Sequence, residues 1–310
     1  MYEKPPQTDK DIEPLLFDES EMPPRSELPS EPLVKPITNP VWTENKAQFI
    51  MRYLRYFVFI TRHGTYIDGF AGPQEEHESD CWAAKLVLKS EPRWLRHFHL
   101  CDEKLSQAKL LEQLKAAQPQ LDPRGEKLNR DIHVYHGDFN SEVDRILAAS
   151  EITEREATFC LLDQRTFECE WETVKKIAAF KSSGNKIEIF YFLANSWLDR
   201  ALGAQEDLEK LARWWGREDW TELKRMPREE RRDALVDRMK RELNYRSVKA
   251  WPIFQRQDGG IVMYYMIHAT DHPEGPALMS RAYRSTVLPE EPVEQLKLEL
   301  SPSTEFRSQD

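Results

Sequence analysis

The residues best suited to chemistry are four aspartates, each at an expected strand end. They are Asp68 in Tyr66-Ile67-Asp68-Gly69-Phe70-Ala71-Gly72-Pro73, Asp102 in Leu100-Cys101-Asp102-Glu103, Asp138 in His136-Gly137-Asp138-Phe139-Asn140, and Asp163 in Leu161-Leu162-Asp163-Gln164-Arg165. In an open parallel sheet, ligands bind outside the carboxyl ends of the strands. Four acids at four strand ends would therefore face one rim. Asp68 is placed to accept hydrogen bonds from an ammonium group, or to end an ordinary strand exit. Gly69 and Gly72 let the chain turn sharply and bring backbone close to a ligand. Asp102 is placed to hold ribose hydroxyls, or stands as a solvated loop acid, with Glu103 beside it. Asp138 can meet an exocyclic amine or cap the next helix. Asp163, with Gln164 and Arg165, stands where a transferred group and its acceptor would meet. The loop after Asp68 is neither G-x-G-x-x-G nor a Walker loop, since no Gly-Lys-Ser/Thr follows, and this weakens a nicotinamide or ATP reading.

The elements that must position these acids read as an alternation. Helical spacing of Phe49, Ile50, Tyr53 and Leu54 predicts a helix over Asn45 to Tyr56. Strands are expected at Gly64 to Phe70, Trp94 to Cys101, Asp131 to His136, Ala157 to Asp163 and Lys186 to Leu193, with helices at Cys81 to Leu88, Leu105 to Ala117, Glu142 to Ala149 and Glu170 to Phe180. Gaps of a dozen or more residues between strands suit parallel crossovers. Apolar runs at Val248 to Gln255 and Ile261 to Ala269 flank Gln257-Asp258-Gly259-Gly260, a hairpin pattern. A short helix is expected over Gly275 to Ala282. The fold class is α/β, a mostly parallel Rossmann-like sheet with a C-terminal antiparallel hairpin. A helical insertion interrupts it at residues 200–243, made of a helix over Asp199 to Trp220 and a charged one over Arg228 to Leu243.

Residues 1–40 hold nine of the 20 prolines and four lysines or arginines, and read as an extended acidic lead-in. One folded unit spans 41–288, and 289–310 is a polar tail. No run is long and apolar enough to span a membrane, and the start lacks a secretory signal, so the expected place is the cytoplasm. With 14 Phe, 9 Trp and 10 Tyr the chain can fill a core, which excludes wholesale disorder. Net charge of −10 argues against non-specific nucleic-acid binding without excluding a local basic patch.

Several groups read as structural. Cys81, Cys101, Cys160 and Cys169 lie too far apart for a metal knuckle and read as reduced thiols. His97, His99 and Cys101 share one side of a strand, but as core; no metal site is expected. Trp214-Trp215 reads as helix packing, with a rim for a stacked base as the alternative. Lys224 to Arg241 reads as a solvated helix laced with ion pairs rather than a nucleic-acid face. Glu168 and Glu170, with Arg165, read as a charged solvent-facing loop, with completion of the pocket as the alternative.

The segments YIDGFAGPQ (66–74), LLDQRTFECEW (161–171) and MYYMIHATDHPEGPALM (263–279) resemble the three-Cys-motif partner (TcmP-like) family, in order over residues 42 to 285. The resemblance implies a class I S-adenosyl-L-methionine-dependent methyltransferase. Asp68, Gly69, Phe70 and Gly72 would then bind the methionine end, Asp102 and Glu103 the ribose, Asp138 the adenine amine and Phe139 its ring. Asp163, with Gln164 and Arg165, would face the methyl group and its acceptor, a nucleic-acid base or other nitrogen. It also implies a separate three-cysteine-motif protein as partner. Two residues depart from the family pattern. Gln74 replaces the second glycine of GPG, and Gln164 replaces the proline after the acid. These departures keep open a second reading, a partner or binding protein that retains the fold without the chemistry. A small-molecule enzyme of the same fold is a third. Oligomeric state is not legible.

Overall fold

A computed structural model describes residues 41–73, 82–122, 124–204, 208–256 and 259–287. The expectations for 1–40, Gln74, Cys81, Gln257, Asp258 and 289–310 lie outside the described residues.

Seven strands form one sheet: β1 (Gly64–Asp68), β2 (Leu95–Asp102), β3 (Asp131–His136), β4 (Thr158–Leu162), β5 (Glu188–Leu193), β6 (Ser247–Arg256) and β7 (Gly259–Thr270). Their order is β3-β2-β1-β4-β5-β7-β6. The pairs β1/β2, β1/β4, β2/β3 and β4/β5 are parallel, while β7 is antiparallel to both β5 and β6. This is the Rossmann-like sheet of class I methyltransferases, with the chain reversing direction between β1 and β4. That reversal makes a switch point where the carboxyl ends of neighbouring strands open a crevice.

The strands β1, β4 and β5 are buried along their whole length, as expected of strands covered on both faces. Alternation decides which face each residue serves. Phe159, Leu161, Phe190 and Phe192 point to one core, with α1 (Val41–Thr61), α2 (Ala83–Lys89), α3 (Leu105–Ala116) and α9 (Gly275–Val287). Cys160, Leu162, Ile189, Tyr191 and Leu193 point to the other, under α4 (Phe139–Leu147) and α5 (Trp171–Ala179). The insertion covers this second face as α6 (Asn195–Ala204), α7 (Leu208–Trp215), a 3-10 turn (Glu218–Lys224) and α8 (Arg228–Arg241).

The single helix expected over Asp199 to Trp220 is therefore two helices and a 3-10 turn. One break has a clear cause: Gly216 at φ +67° ends α7, where a Cβ would stand 2.6 Å from Cβ of Trp171. The helix expected from Glu142 begins at Phe139 instead, because Asp138 caps it. Helix α8 is ion-paired as expected, but it is not simply solvated: Arg231, Arg232 and Arg238 are buried. The Arg238 guanidinium lies between Trp171 (4.0 Å) and Trp215 (4.4 Å) and reaches Glu242 at 2.6 Å. Trp214 and Trp215 are buried in the same layer, as packing residues. Cys101, Cys160 and Cys169 are buried free thiols.

Candidate functional site at the carboxyl rim of the sheet

The strands β3, β2, β1 and β4 lie side by side, so their carboxyl ends form one rim. The backbone stitches it together: Gly69 N–H donates to Leu161 O (3.0 Å), Ala71 N–H to Cys101 O (2.8 Å) and Gly137 N–H to Asp102 O (3.1 Å). The turn after β1 is thereby pinned to the ends of β4 and β2.

Asp68 ends β1 with 1% of its surface exposed. Its carboxyl accepts from the Tyr66 hydroxyl (2.8 Å) and the Phe70 N–H (3.2 Å). Burial pushes this carboxyl up to about 7, against those two hydrogen bonds, and the nearby Asp163 and Asp102 carboxylates add to the rise. The three acids stand at the carboxyl ends of neighbouring strands, β2, β1 and β4. Asp102 receives the Gly72 N–H (3.0 Å) and the Lys104 N–H (2.9 Å) on its two oxygens. Glu103, beside it, is exposed.

The glycines are required by close approach. A Cβ on Gly72 would lie 2.5 Å from Asp102 Oδ2 and 2.6 Å from Gln107 Cβ; one on Gly69 would lie 2.8–2.9 Å from three atoms of the Phe139 ring. Phe139 is buried and its ring centroid is 5.9 Å from that of Phe70. Gln107, on α3, is 6% exposed, and its Oε1 has no hydrogen-bond partner among the described residues.

Asp138 takes the capping role left open in the sequence. Its oxygens accept from Asn140 N (3.3 Å), Asn140 Nδ2 (3.0 Å), Ser141 N (3.2 Å) and Ser141 Oγ (3.0 Å). Asn140 then passes the connection to β4's loop through Glu168 O (2.8 Å) and the Glu170 N–H (2.9 Å).

At the end of β4, Asp163 accepts from Lys46 Nζ at 2.8 Å; the side chains are 10% and 2% exposed. The Lys46 ammonium also lies 4.4 Å from the Phe192 ring centre and 6.0 Å from that of Tyr264. Gln164 turns inward and is fully buried. Its amide donates to Phe192 O (3.2 Å) and accepts from the Cys169 N–H (2.9 Å), so it braces the loop against β5. Arg165 donates to Pro73 O (3.3 Å), linking the β4 loop to the β1 loop. Glu168 holds the Thr166 N–H (2.8 Å), and Glu170 pairs with Arg213 (2.7 Å) outside the rim.

Sequence reasoning missed Lys46, Gln107 and the aromatic pair Phe192–Tyr264. Lys46 had a readable sign: it falls on the stripe of Phe49, Ile50 and Tyr53 at helical spacing. Among the described residues, no group of three or more His, Cys, Asp or Glu could hold a metal ion, and no helix is long and apolar enough to cross a membrane.

No family model matches the chain, and no curated protein matches it. Among solved structures, it is similar to a Legionella pneumophila protein described with the DUF519 family, at 12% identity and a TM-score of 0.44, covering 82% of this chain and 96% of that one. It is also similar to a Methanococcus maripaludis protein assigned as an S-adenosyl-L-methionine-dependent methyltransferase, at 14% identity and a TM-score of 0.33, covering 77% and 96%.

Proposed function

We propose that the chain binds S-adenosyl-L-methionine along the rim of β3, β2, β1 and β4 and directs methyl transfer to a nitrogen acceptor at Asp163, on a nucleic-acid base or another amine. One observation carries the reading: Asp68, Asp102 and Asp163 stand at neighbouring strand ends beside a loop in which Gly69 and Gly72 leave no room for a Cβ. The residues fit such a ligand. A carboxyl buried among two other carboxylates gains most from a cation, and an α-ammonium group supplies one. The Gln107 oxygen, buried and unpartnered beside Gly72, offers a further acceptor.

When bound, the sulfonium donor supplies an activated methyl group. Asp68 would take the ammonium end, and Asp102 the ribose hydroxyls, while Gly72 and Lys104 keep that carboxylate oriented. Phe70 and Phe139 form an apolar wall for a ring, with Glu103 at the open edge. Asp163 would accept a hydrogen bond or proton from the acceptor nitrogen. Lys46 balances its charge and fixes its orientation, and Arg165 ties its loop to the donor side. Most of the gain is positional, since two held reactants need no bimolecular encounter. The YIDGFAG segment supports a kinship with the three-Cys-motif partners, under which a separate three-cysteine-motif protein would be the partner.

Titration calorimetry with S-adenosyl-L-methionine tests this. Saturable binding is expected, weakened on the order of tenfold or more in Asp102→Ala, the worth of a hydrogen bond to a charged group. No heat at millimolar cofactor would end the reading. A second reading is a protein that binds the cofactor without turnover. It is favoured by Gln164, whose buried amide offers nothing to an acceptor. Transfer of labelled methyl to any nucleic-acid or protein pool would exclude it.

A further inference from the structure

We propose that Lys46 is itself a methyl acceptor of this site, a self-methylated lysine held by Asp163, Phe192 and Tyr264. The inference rests on the proposed donor site. A lysine with 2% exposure carries a large desolvation cost, and its surroundings offset that cost in a particular way. One side is the Asp163 carboxylate at 2.8 Å; the other is aromatic, with Phe192 at 4.4 Å and Tyr264 at 6.0 Å. The two rings pack on each other with centroids 4.3 Å apart, so they form a fixed wall. A carboxylate with aromatic faces is the environment that holds methylated ammonium groups, because methylation keeps the charge and the rings attract it.

Lys46 must lose a proton before it can act as a nucleophile, because the ion pair with Asp163 favours the ammonium. The positive sulfonium of a bound donor favours that loss, and Asp163 at 2.8 Å is the group placed to take the proton. Nζ first yields one proton to Asp163, which passes it to water. Its lone pair then forms the N–C bond as the C–S bond of the sulfonium donor breaks. The electron pair of that bond stays on sulfur, giving a neutral thioether, and Nζ becomes a methylammonium. The balance is one methyl gained and one proton released. Both groups belong to one chain, so the rate per molecule is independent of protein concentration.

The test uses the full chain and S-adenosyl-L-methionine carrying a 13C methyl group. Calorimetry of wild-type protein comes first; peptide mass mapping and NMR follow. The expected result is a gain of one CH2 on the peptide holding Lys46, at a rate per molecule unaffected by dilution. Its N-methyl resonance should be displaced upfield by the Phe192 ring and return toward the free value in Phe192→Leu. Lys46→Arg and Asp163→Asn should bind the cofactor yet lose the signal. If the cofactor binds and Lys46 stays unmodified, or if the rate scales with protein concentration, the inference is overturned and the donor site stands. If wild-type protein binds no cofactor, the donor site falls and the inference falls with it. Mapping wild-type protein decides the matter even if a variant fails to fold.

Discussion

Lys46, near the start of the first helix, and Asp163, at the tip of the fourth strand, are 117 positions apart in the chain and 2.8 Å apart in space. The bond fastens α1 over the carboxyl rim at the place where β4 and β5 present their ends. It joins the surface layer of the fold to its proposed chemistry.

Removing one partner of this pair should be costly, because the other stays buried without compensation. Lys46→Met is expected to lose about 3 kcal/mol or more of stability in urea denaturation. The double variant Lys46→Met with Asp163→Leu should recover much of that loss, since both charges then leave the interior. A double variant no more stable than Lys46→Met would show that the pair is not the cause.

Asp68 sets a pH dependence. Its folded carboxyl, pushed up to about 7 mainly by burial, lies above the ordinary value of 3.8. A raised acid favours the folded state at low pH and loses that contribution as pH climbs. Wild-type stability relative to Asp68→Asn should therefore fall between about pH 4 and about pH 7 and stay level above it. Binding of an ammonium-bearing ligand should ionise Asp68 and release a proton near pH 6, an expectation read by calorimetry in buffers of different ionisation enthalpy. Affinity should rise with pH through about 7, and Asp68→Asn should flatten that rise. Parallel stability profiles of the two proteins would refute the assignment.

Gly72 and Gly69 should respond differently to alanine. At Gly72 the new methyl would meet the Asp102 oxygen at 2.5 Å and break the bond from the Gly72 N–H. Cofactor affinity should fall by about tenfold or more. At Gly69 the obstacle is the buried Phe139 ring, and overpacking should cost about 1–3 kcal/mol in melting experiments, relieved by Phe139→Leu.

Gln164 should behave as a brace. Gln164→Ala leaves the Cys169 N–H and the Phe192 carbonyl without its amide, and roughly 1–3 kcal/mol of stability should be lost per group left unsatisfied. Affinity for the cofactor should change far less than stability, as separate calorimetric and denaturation measurements would show.

Much of the sheet was legible because apolar residues recur in short stretches, continuous in Thr158–Leu162 and interrupted by histidines in Asp131–His136, with helices between them at crossover spacing. Asp131–His136 matches its sequence range, and Leu95–Asp102 and Thr158–Leu162 each lie within a residue of theirs. The acids were legible because each stands at or just past an expected strand end. What stayed hidden depends on contacts across the chain. Lysines are ordinarily exposed, and only the place of Lys46 on the apolar stripe of its helix hints at burial. Asp138 offered two roles, and only the four bonds into the first turn of α4 choose the cap. The arginines of α8 look solvated by composition; Trp171 and Trp215, which draw Arg238 inward, are 67 and 23 positions earlier.

The rim of β1, β2 and β4 is proposed as the seat of a sulfonium nucleoside. A crystal structure grown with S-adenosyl-L-homocysteine tests it most directly. The account expects ligand density with the amino end within hydrogen-bonding reach of Asp68 and the ribose at Asp102. Full soaking with clean protein density and nothing beside those two carboxylates, or a ligand seated elsewhere, would contradict it.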